Sequence, residues 1–540
     1  MMNRRLFLSK TAAATAGLAA LPIGGRAQSR PSDTVNVAIV GLRGDNTGHP
    51  TWTARGRGQD HYEHLSGIPN VRITHVVDVD ERHFETSLPV AKKQWGGNPS
   101  TATDVRRVLD DKNVDAVTLA VPDHWHALMT LWACQAGKDV YVEKPISHNI
   151  AEGRRMIEAA RRYQRIVGVG TQRRSNPVLA QAAAFLRDGG LGTIHSGRTV
   201  IYRPRDPIGV APDRPVPAGV HYDLWLGPAP ARPFNEHRFH YDWHWTWDYG
   251  TGDLGNTAVH SLDTVRWLLG KDEHPRTAYC SGGLYEAGAP TDQVTPNTQL
   301  ATYRYADGTE IHCELRNWFS GPPEAQGVFV FGAKGWMKVR ENSAEVFLGP
   351  KNEPGPVFTA DSNPDPGQRH FENFIACVRS RKAEDLRATV EGGHLSTTLC
   401  HLGNISYRVG RSLGLRRRDR KFRRRRRGRR AARPDVPGAV SAPRQGVVHC
   451  QCAAAAVQCF AWAPWWRSCL SPALTSAHRG KPTGLPTSSS SSPTTSAMAT
   501  CAATTRHRRL PPSRSTGWRR RACVSPMRAA RALSGGGRSR

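Results

Sequence analysis

The sequence predicts an α/β chain of two folded parts: a doubly wound parallel sheet, then an α+β domain on one open, largely antiparallel sheet. Two patterns carry this expectation. Between residues 34 and 176, short continuously apolar runs alternate with helix-patterned segments, as they do when crossover helices bury a parallel sheet on both faces. Beyond Pro177 that alternation stops, and apolar residues recur at every second position, the period of strands with one face in a core. A third stretch, 414–540, sustains neither period and reads as a disordered basic tail.

Residues 1–27 precede the first folded part. Asn3-Arg4-Arg5-Leu6-Phe7-Leu8-Ser9-Lys10 is followed by a weakly apolar, Ala-rich run to Ile23 and then by Gly25-Arg26-Ala27. Paired arginines, a short apolar core and a small-residue cleavage site predict a twin-arginine signal cut after Ala27, hence a periplasmic or secreted protein. The run is too short and too rich in Ala and Gly for a permanent membrane span. Twin-arginine export moves folded proteins, which suits an enzyme that takes up a tightly held cofactor in the cytoplasm.

The first part opens with VNVAIVG, a buried strand running into Gly41-Leu42-Arg43-Gly44. Glycines between a strand and a helix predict a dinucleotide-binding turn. Small residues let the backbone approach the pyrophosphate, and the helix N-terminus favours its charge. Asp45 to Gly56 reads as an insertion, after which Arg57-Gly58-Gln59-Asp60-His61 resumes; Arg43 stands where the motif has its second glycine. A second strand, Val71 to Val77, ends at Asp78. An acid there accepts hydrogen bonds from ribose hydroxyls and repels a 2′-phosphate, so NAD is expected in preference to NADP.

The stretch Asp115 to His148, DAVTLAVPDHWHALMTLWACQAGKDVYVEKPISH, organises the rest. Ala116 to Val121 has the length and β-branched content of a doubly buried strand. Pro122 breaks it, Asp123 is placed to cap the next helix, and Gly137 ends that helix. A second apolar run, Asp139 to Val142, delivers Glu143, Lys144 and Pro145. Two strands joined by one helix form a parallel crossover unit, and ligands sit beyond the carboxyl ends of such strands. Pro122, Asp123 and His126 lie at one end, Glu143 and Lys144 at the next. An ammonium at the rim of a cofactor crevice polarises a substrate oxygen, which makes Lys144 the leading catalytic candidate. A helix over Ala151 to Tyr163 and a strand over Ile166 to Gly170 lead to Thr171-Gln172-Arg173-Arg174.

In the second part, a helix over Val178 to Arg187 precedes strand-patterned segments at Ile194 to Tyr202, Thr298 to Tyr305, Thr309 to Leu315 and Val328 to Phe331. Late helices are expected over His370 to Ser380 and Glu391 to Val409. Between them lies HRFHYDWHWTWDYGTGDLGNTAVHSLDTVRWLLG. Trp243, Trp245 and Trp247 alternate, as in a half-buried strand or a wall that stacks on a sugar, with packing expected for at least two. After Gly255 a helix is expected on which Asn256, His260 and Asp263 share one face. Polar residues on an otherwise apolar helix must find partners or meet a ligand.

The formal net charge of +30 is unevenly placed. Of the 75 Lys and Arg, 28 lie in 414–540, but only two of the 45 Asp and Glu do, so the body is near neutral. The basic run lacks a recognition module with stacking aromatics, and no specific nucleic-acid partner is expected. His449, Cys450, Cys452 and Cys459 fit no common zinc spacing, so no metal is expected. Cys134, Cys280, Cys313, Cys377 and Cys400 are scattered and predict no disulfide framework. The abrupt change near Gly414 reads as an out-of-frame or read-through ending of a GC-rich gene.

VPDHWH, AGKDVYVEKP, the GTQRR turn and GDLGNTAVHSLD resemble motifs of the Gfo/Idh/MocA oxidoreductases over roughly Val35 to Leu413. The resemblance implies an NAD-binding Rossmann domain over 34–176 and a C-terminal domain over 177–413 whose open sheet often forms dimer or tetramer contacts. It implies hydride transfer between NAD and a sugar, glycoside or polyol hydroxyl, with Lys144 near the nicotinamide and substrate and His260 as general base. Asn256 stands where many members have an aspartate that assists the histidine. Cofactor contacts are then expected from Gly41, Arg43, Gly44, Gly58, Asp78, Pro122, Asp123, His126, Glu143, Lys144 and Gln172. Substrate contacts are expected from Arg173, Trp247, His260 and Asp263. The alternative is an NAD-dependent glycoside hydrolase or lyase working through transient C3 oxidation, although its THGLGP-type signature is absent.

Overall fold

The computed structural model describes residues 34–43, 56–285, 290–317, 321–360 and 365–415. The expected signal, Gly44 and nearly all of the basic tail lie outside the described residues. Six strands, β1 (Val35–Val40), β2 (Val71–Val77), β3 (Ser100–Ala102), β4 (Ala116–Leu119), β5 (Asp139–Val142) and β6 (Val167–Val169), form one sheet in the order β3-β2-β1-β4-β5-β6. Every pairing in it is parallel. The chain runs outward from β1 to β3, then returns to lay β4 on the other side of β1. That reversal opens a crevice at the carboxyl ends of β1 and β4. All residues of β4 and β5 are buried, as their unbroken apolar runs require.

Five helices belong to this sheet: α1 (Arg57–Ser66), α2 (Arg82–Trp95), α3 (Val105–Leu109), α4 (Asp123–Gln135) and α5 (Ile150–Arg162). The α4 and α5 side packs Trp125, Met129, Ala133 and Met156 against Val117, Leu119 and Val140. Asp123 does not cap α4. Pro122 holds the cap position, and Asp123 is the first helical residue, its carboxylate turned to Thr251. Proline's fixed φ suits the start of a helix, which frees the acid for a tertiary contact.

The second sheet has nine strands: β7 (Ile194–Tyr202), β8 (Thr277–Gly283), β9 (Thr298–Arg304), β10 (Glu310–Arg316), β11 (Gly327–Gly332), β12 (Gly335–Val339), β13 (Ser343–Leu348), β14 (Glu353–Thr359) and β15 (Leu413–Gly414). Their order is β14-β13-β12-β11-β7-β10-β9-β8-β15; only β7 and β10 pair in parallel. The remaining helices are α6 (Pro177–Arg187), α7 (Tyr222–Leu226), α8 (Val259–Leu268), α9 (Pro366–Ser380) and α10 (Val390–Val409). α6, α8 and α10 bury Val178, Leu262, Val265 and Leu399 against Ala301, Tyr303, Ile311 and Val330. The late helix α9 instead packs Phe371, Phe374 and Ile375 on the first sheet, where Phe371 stacks on Tyr141 at 4.2 Å. The Trp243 to Trp247 stretch is not a strand: Asp242–Trp245 forms a 3₁₀ turn that buries Trp243 and Trp245. The five cysteines of the body are free and buried. No helix among the described residues is long and apolar enough to cross a membrane.

Candidate active site

β1 runs into Gly41, whose φ is +87° and where a Cβ would lie 2.3 Å from the Ala120 carbonyl oxygen. Only glycine fits there. At Gly58, in the first turn of α1, a Cβ would fall 1.7 Å from the Gly41 carbonyl oxygen. The N-terminus of α1 is thus pressed onto the turn, with Gly56 as its cap. Gly41, Arg43, Gly56 and Arg57 line a cavity of about 500 Å³ that continues to Asn256 and His260. Gly58 does not line it; it permits the close packing that shapes it. Gly56, read in the sequence as part of an insertion, belongs to the cradle.

Asp78 lines the same cavity at the end of β2. Its Oδ2 accepts the backbone N–H groups of Leu42 (2.8 Å) and Arg43 (3.2 Å), and Oδ1 accepts that of Asp80 (3.0 Å). His83 Nδ1 lies 3.1 Å away. Burial opposes ionisation here, but these donors outweigh it and hold the carboxyl below its ordinary range. Asp78 therefore also fixes the path of the glycine turn, a role its position alone does not reveal.

Pro122, Asp123, His126, Glu143, Lys144, Gln172 and Arg173 all line the cavity. His126 Nδ1 lies 2.7 Å from the Pro145 carbonyl, which can only accept, so Nδ1 carries the proton. Nε2 is then a buried acceptor with no protein partner. Burial brings His126 down to about 4 and fixes this neutral form. Asp123 accepts the Thr251 hydroxyl at 2.7 Å, and burial pushes its carboxyl up to about 6. Gln172, with its amide oriented to satisfy both ends, donates to the Gly170 carbonyl at 2.9 Å and accepts from Arg57 at 3.1 Å.

Lys144 and His260 face one cavity. Lys144 Nζ donates to the Asn256 carbonyl at 2.8 Å and to its Oδ1 at 3.3 Å. Burial brings the ammonium down to about 8, against the pull of Glu143. Asn256 Nδ2 reaches the Tyr241 hydroxyl at 3.4 Å. Asn256 thus holds the lysine; no hydrogen bond joins it to His260 among the described residues. His260 Nδ1 is buried without a partner. Burial first, then the charges of Lys144 and Arg173, hold this imidazole well below its ordinary value, so it is neutral.

Two profiles of one family match this chain. The oxidoreductase family's NAD-binding Rossmann fold covers residues 35–171, and its C-terminal alpha/beta domain covers 209–433. The chain belongs to the Gfo/Idh/MocA oxidoreductase family. Levoglucosan dehydrogenase of Pseudarthrobacter phenanthrenivorans is 27% identical over 34% of this chain and 39% of its own length. Inositol 2-dehydrogenase 4 of Saccharopolyspora erythraea is 28% identical over 39% of this chain and 51% of its own. In such matches the chain spans about half of the relative or less. Myo-inositol 2-dehydrogenase of Thermotoga maritima is 28% identical over 62% of this chain and 84% of its own length. The fold is shared with aldose–aldose oxidoreductase from Caulobacter crescentus, solved with glycerol, at TM-score 0.54 and 17% identity, over 71% of this chain and 100% of that one. Levoglucosan dehydrogenase solved with NADH and levoglucosan gives TM-score 0.54 and 17% identity, over 71% of this chain and 99% of that one.

Not every expected residue of this Gfo/Idh/MocA chain reaches the cavity. Asp263 follows His260 by three residues in α8 but does not line the cavity. It is buried instead, accepting Arg174 Nε (2.8 Å), Arg174 Nη2 (3.0 Å) and the Ser396 hydroxyl (2.6 Å). An acid so fully bonded is structural. Trp247 also lies off the cavity, under the Arg408 guanidinium at 5.1 Å, with its carbonyl 2.9 Å from His148. The aromatic segment contributes Tyr241, Trp243 and His244 to the wall in its place. Their signal was the cluster itself, whose 3₁₀ path the alternation concealed. Arg203 and Thr257, also cavity residues, gave no sequence signal.

The residues present fit a dinucleotide: a glycine turn closed to any Cβ, a helix N-terminus facing it, and the orphaned acceptor of His126 further along. Gly41, Arg43, Gly56 and Asp78 would hold its adenosine and pyrophosphate half, and His126, Lys144 and Gln172 its nicotinamide half.

Proposed function

We propose that this chain is an NAD-dependent oxidoreductase that oxidises a carbinol of a sugar, glycoside or polyol, reversibly. The observation that carries the reading is the meeting of Lys144 and His260 in the cavity that begins at the Gly41 turn. The relatives' names, levoglucosan and inositol dehydrogenases among them, support the substrate class. NAD, when bound, supplies a hydride acceptor. The protein's part is proton handling and orientation. His260, neutral and half-buried, takes the hydroxyl proton. Lys144, fixed by both oxygens of Asn256, places its ammonium beside the oxygen on which negative charge develops. Walls from Tyr241, Trp243 and His244 limit water and orient the sugar.

The test uses the full chain. Denaturation should release NAD, identified by mass, and sugars or polyols should drive net NADH formation. His260→Ala should lower kcat by about two to four orders of magnitude, the usual worth of a positioned base, while nucleotide binding persists. Full turnover in that variant would exclude the assignment. Aglycone release without net NADH would favour the hydrolase alternative. We also propose twin-arginine export to the periplasm, supported by Arg4-Arg5 and Ala27, and a homo-oligomer formed through the open sheet. Export assays with Arg4→Lys and Arg5→Lys together, and sedimentation of the full chain, test these.

A further inference from the structure

Two guanidinium groups in the cavity, those of Arg173 and Arg203, have no carboxylate within ion-pair distance among the described residues. Arg173 sits in the turn after β6, is half-buried, and lines the cavity. Its Nη1 donates to the Ser261 hydroxyl at 3.2 Å. No carboxylate ion-pairs with it among the described residues: Asp263 is held by Arg174 at 2.8 Å, and Glu341 is exposed and acts only at longer range. Burial disfavours this guanidinium more than its surroundings favour it, and its pKa falls below arginine's ordinary value. Arg203 follows β7 at the exposed mouth of the same cavity. Its backbone N–H bonds the Arg316 carbonyl at 3.1 Å, and its guanidinium forms no hydrogen bond or close ion pair among the described residues, with Asp253 acting on it only at longer range. Lys144 Nζ donates only to neutral oxygens. Arg205, two residues on and outside the cavity, is by contrast matched with Asp253 at 3.4 Å.

The nucleotide does not account for these cations. Its pyrophosphate belongs at the turn after β1, and β6 lies three strands along in the order β1-β4-β5-β6. At the usual strand spacing that is about 14 Å. The adenosine half lies further off, towards β2.

We infer that the substrate is an anionic carbohydrate, whose carboxylate or phosphate is held by Arg173 and Arg203 beside Lys144. The inference rests on the oxidoreductase reading and narrows its substrate class. A guanidinium presents parallel N–H groups that match either anion bidentately. The anion also changes the base. After burial, Lys144 and Arg173 are the charges that most depress His260. A negative group between them cancels part of that field and makes the imidazole a better proton acceptor once substrate is seated. A neutral sugar leaves the field as it is.

The experiment compares, on the full chain with NAD, a hexuronate, a hexose phosphate and the neutral parent hexose. The expected kcat/KM for one of the anions exceeds the neutral value by about tenfold to a hundredfold, as charge-assisted hydrogen bonds allow. Preference for uronate over phosphate, or the reverse, identifies the anion. Arg203→Met and Arg173→Met should each bring the anionic-to-neutral ratio towards one, and Arg203→Met should do so through KM. A second readout needs no turnover: the anion should raise the melting temperature of the nucleotide-loaded chain, less so in Arg203→Met, and the effect should shrink with added salt. Equal kcat/KM for charged and neutral sugars overturns the inference while leaving the oxidoreductase intact. If no sugar forms NADH, the oxidoreductase reading fails, and the melting shift alone decides whether the anion site exists.

Discussion

Asp123 offers a stability measurement that tests the electrostatics of the cavity. Its side chain is 1% exposed and holds the Thr251 hydroxyl at 2.7 Å. Burial lifts its pKa from 3.8 to about 6, and a difference of about two units corresponds to about 3 kcal/mol. Because the folded value is the higher one, the folded chain binds this proton more tightly than the unfolded chain. The associated stability is complete below about pH 4 and is lost as pH rises through about 6. Asp123→Asn keeps an acceptor for Thr251 and removes the buried charge. The variant should therefore exceed the parent in stability by about 3 kcal/mol at pH 8, and by about 1 kcal/mol or less near pH 4. Urea titrations of the full chain at both pH values, followed by far-UV circular dichroism, measure the two gaps. A gain of equal size at both, or a loss at pH 8, would refute the reasoning. Asp123 also favours the charged form of Lys144, so the same variant should make that ammonium easier to deprotonate.

Three further outcomes follow from the geometry. Lys144 titrates at about 8, so kcat/KM for sugar oxidation should fall above that pH as the ammonium is lost, and Lys144→Met should remove the edge together with most activity. Gly58→Ala puts a methyl group 1.7 Å from the Gly41 carbonyl; α1 must withdraw, and NAD affinity measured by titration should fall about tenfold or more, since the close packing of α1 on the pyrophosphate turn is what the glycine permits. Asp263→Asn leaves Arg174 buried without its acid and should destabilise the chain by about 3–5 kcal/mol in denaturant titration, with no change in the ranking of sugars. A shifted ranking would return Asp263 to the substrate site.

The parallel sheet was legible because doubly buried strands write themselves as unbroken apolar runs, and Ala116–Leu119 and Asp139–Val142 do so. The second sheet was legible only in part. β14 is largely exposed, and β12 and β13 have only two buried residues each, so period two is short or faint there. Lys144 was singled out by its place at a strand end and His260 by the family resemblance, and both line the cavity. Asp263 lies off the cavity because Arg174 and Ser396, both distant from it in sequence, claim its carboxylate. Arg203 carried no sequence signal for a different reason: where a guanidinium sits relative to carboxylates and to a cavity is fixed only in three dimensions. Trp247 was expected at the substrate from the alternating tryptophans, but the backbone there makes a tight turn, and Tyr241 and His244 line the cavity while Trp247 does not.

Glu143 is buried at the centre of all this. It accepts from Arg57 at 3.2 Å, lies 3.3 Å from His61, and accepts the backbone N–H of Lys144 at 3.2 Å. One carboxylate therefore clamps together the helix that greets the pyrophosphate and the strand terminus that carries the reactive amine. Seating the nucleotide and aiming the amine become a single mechanical act.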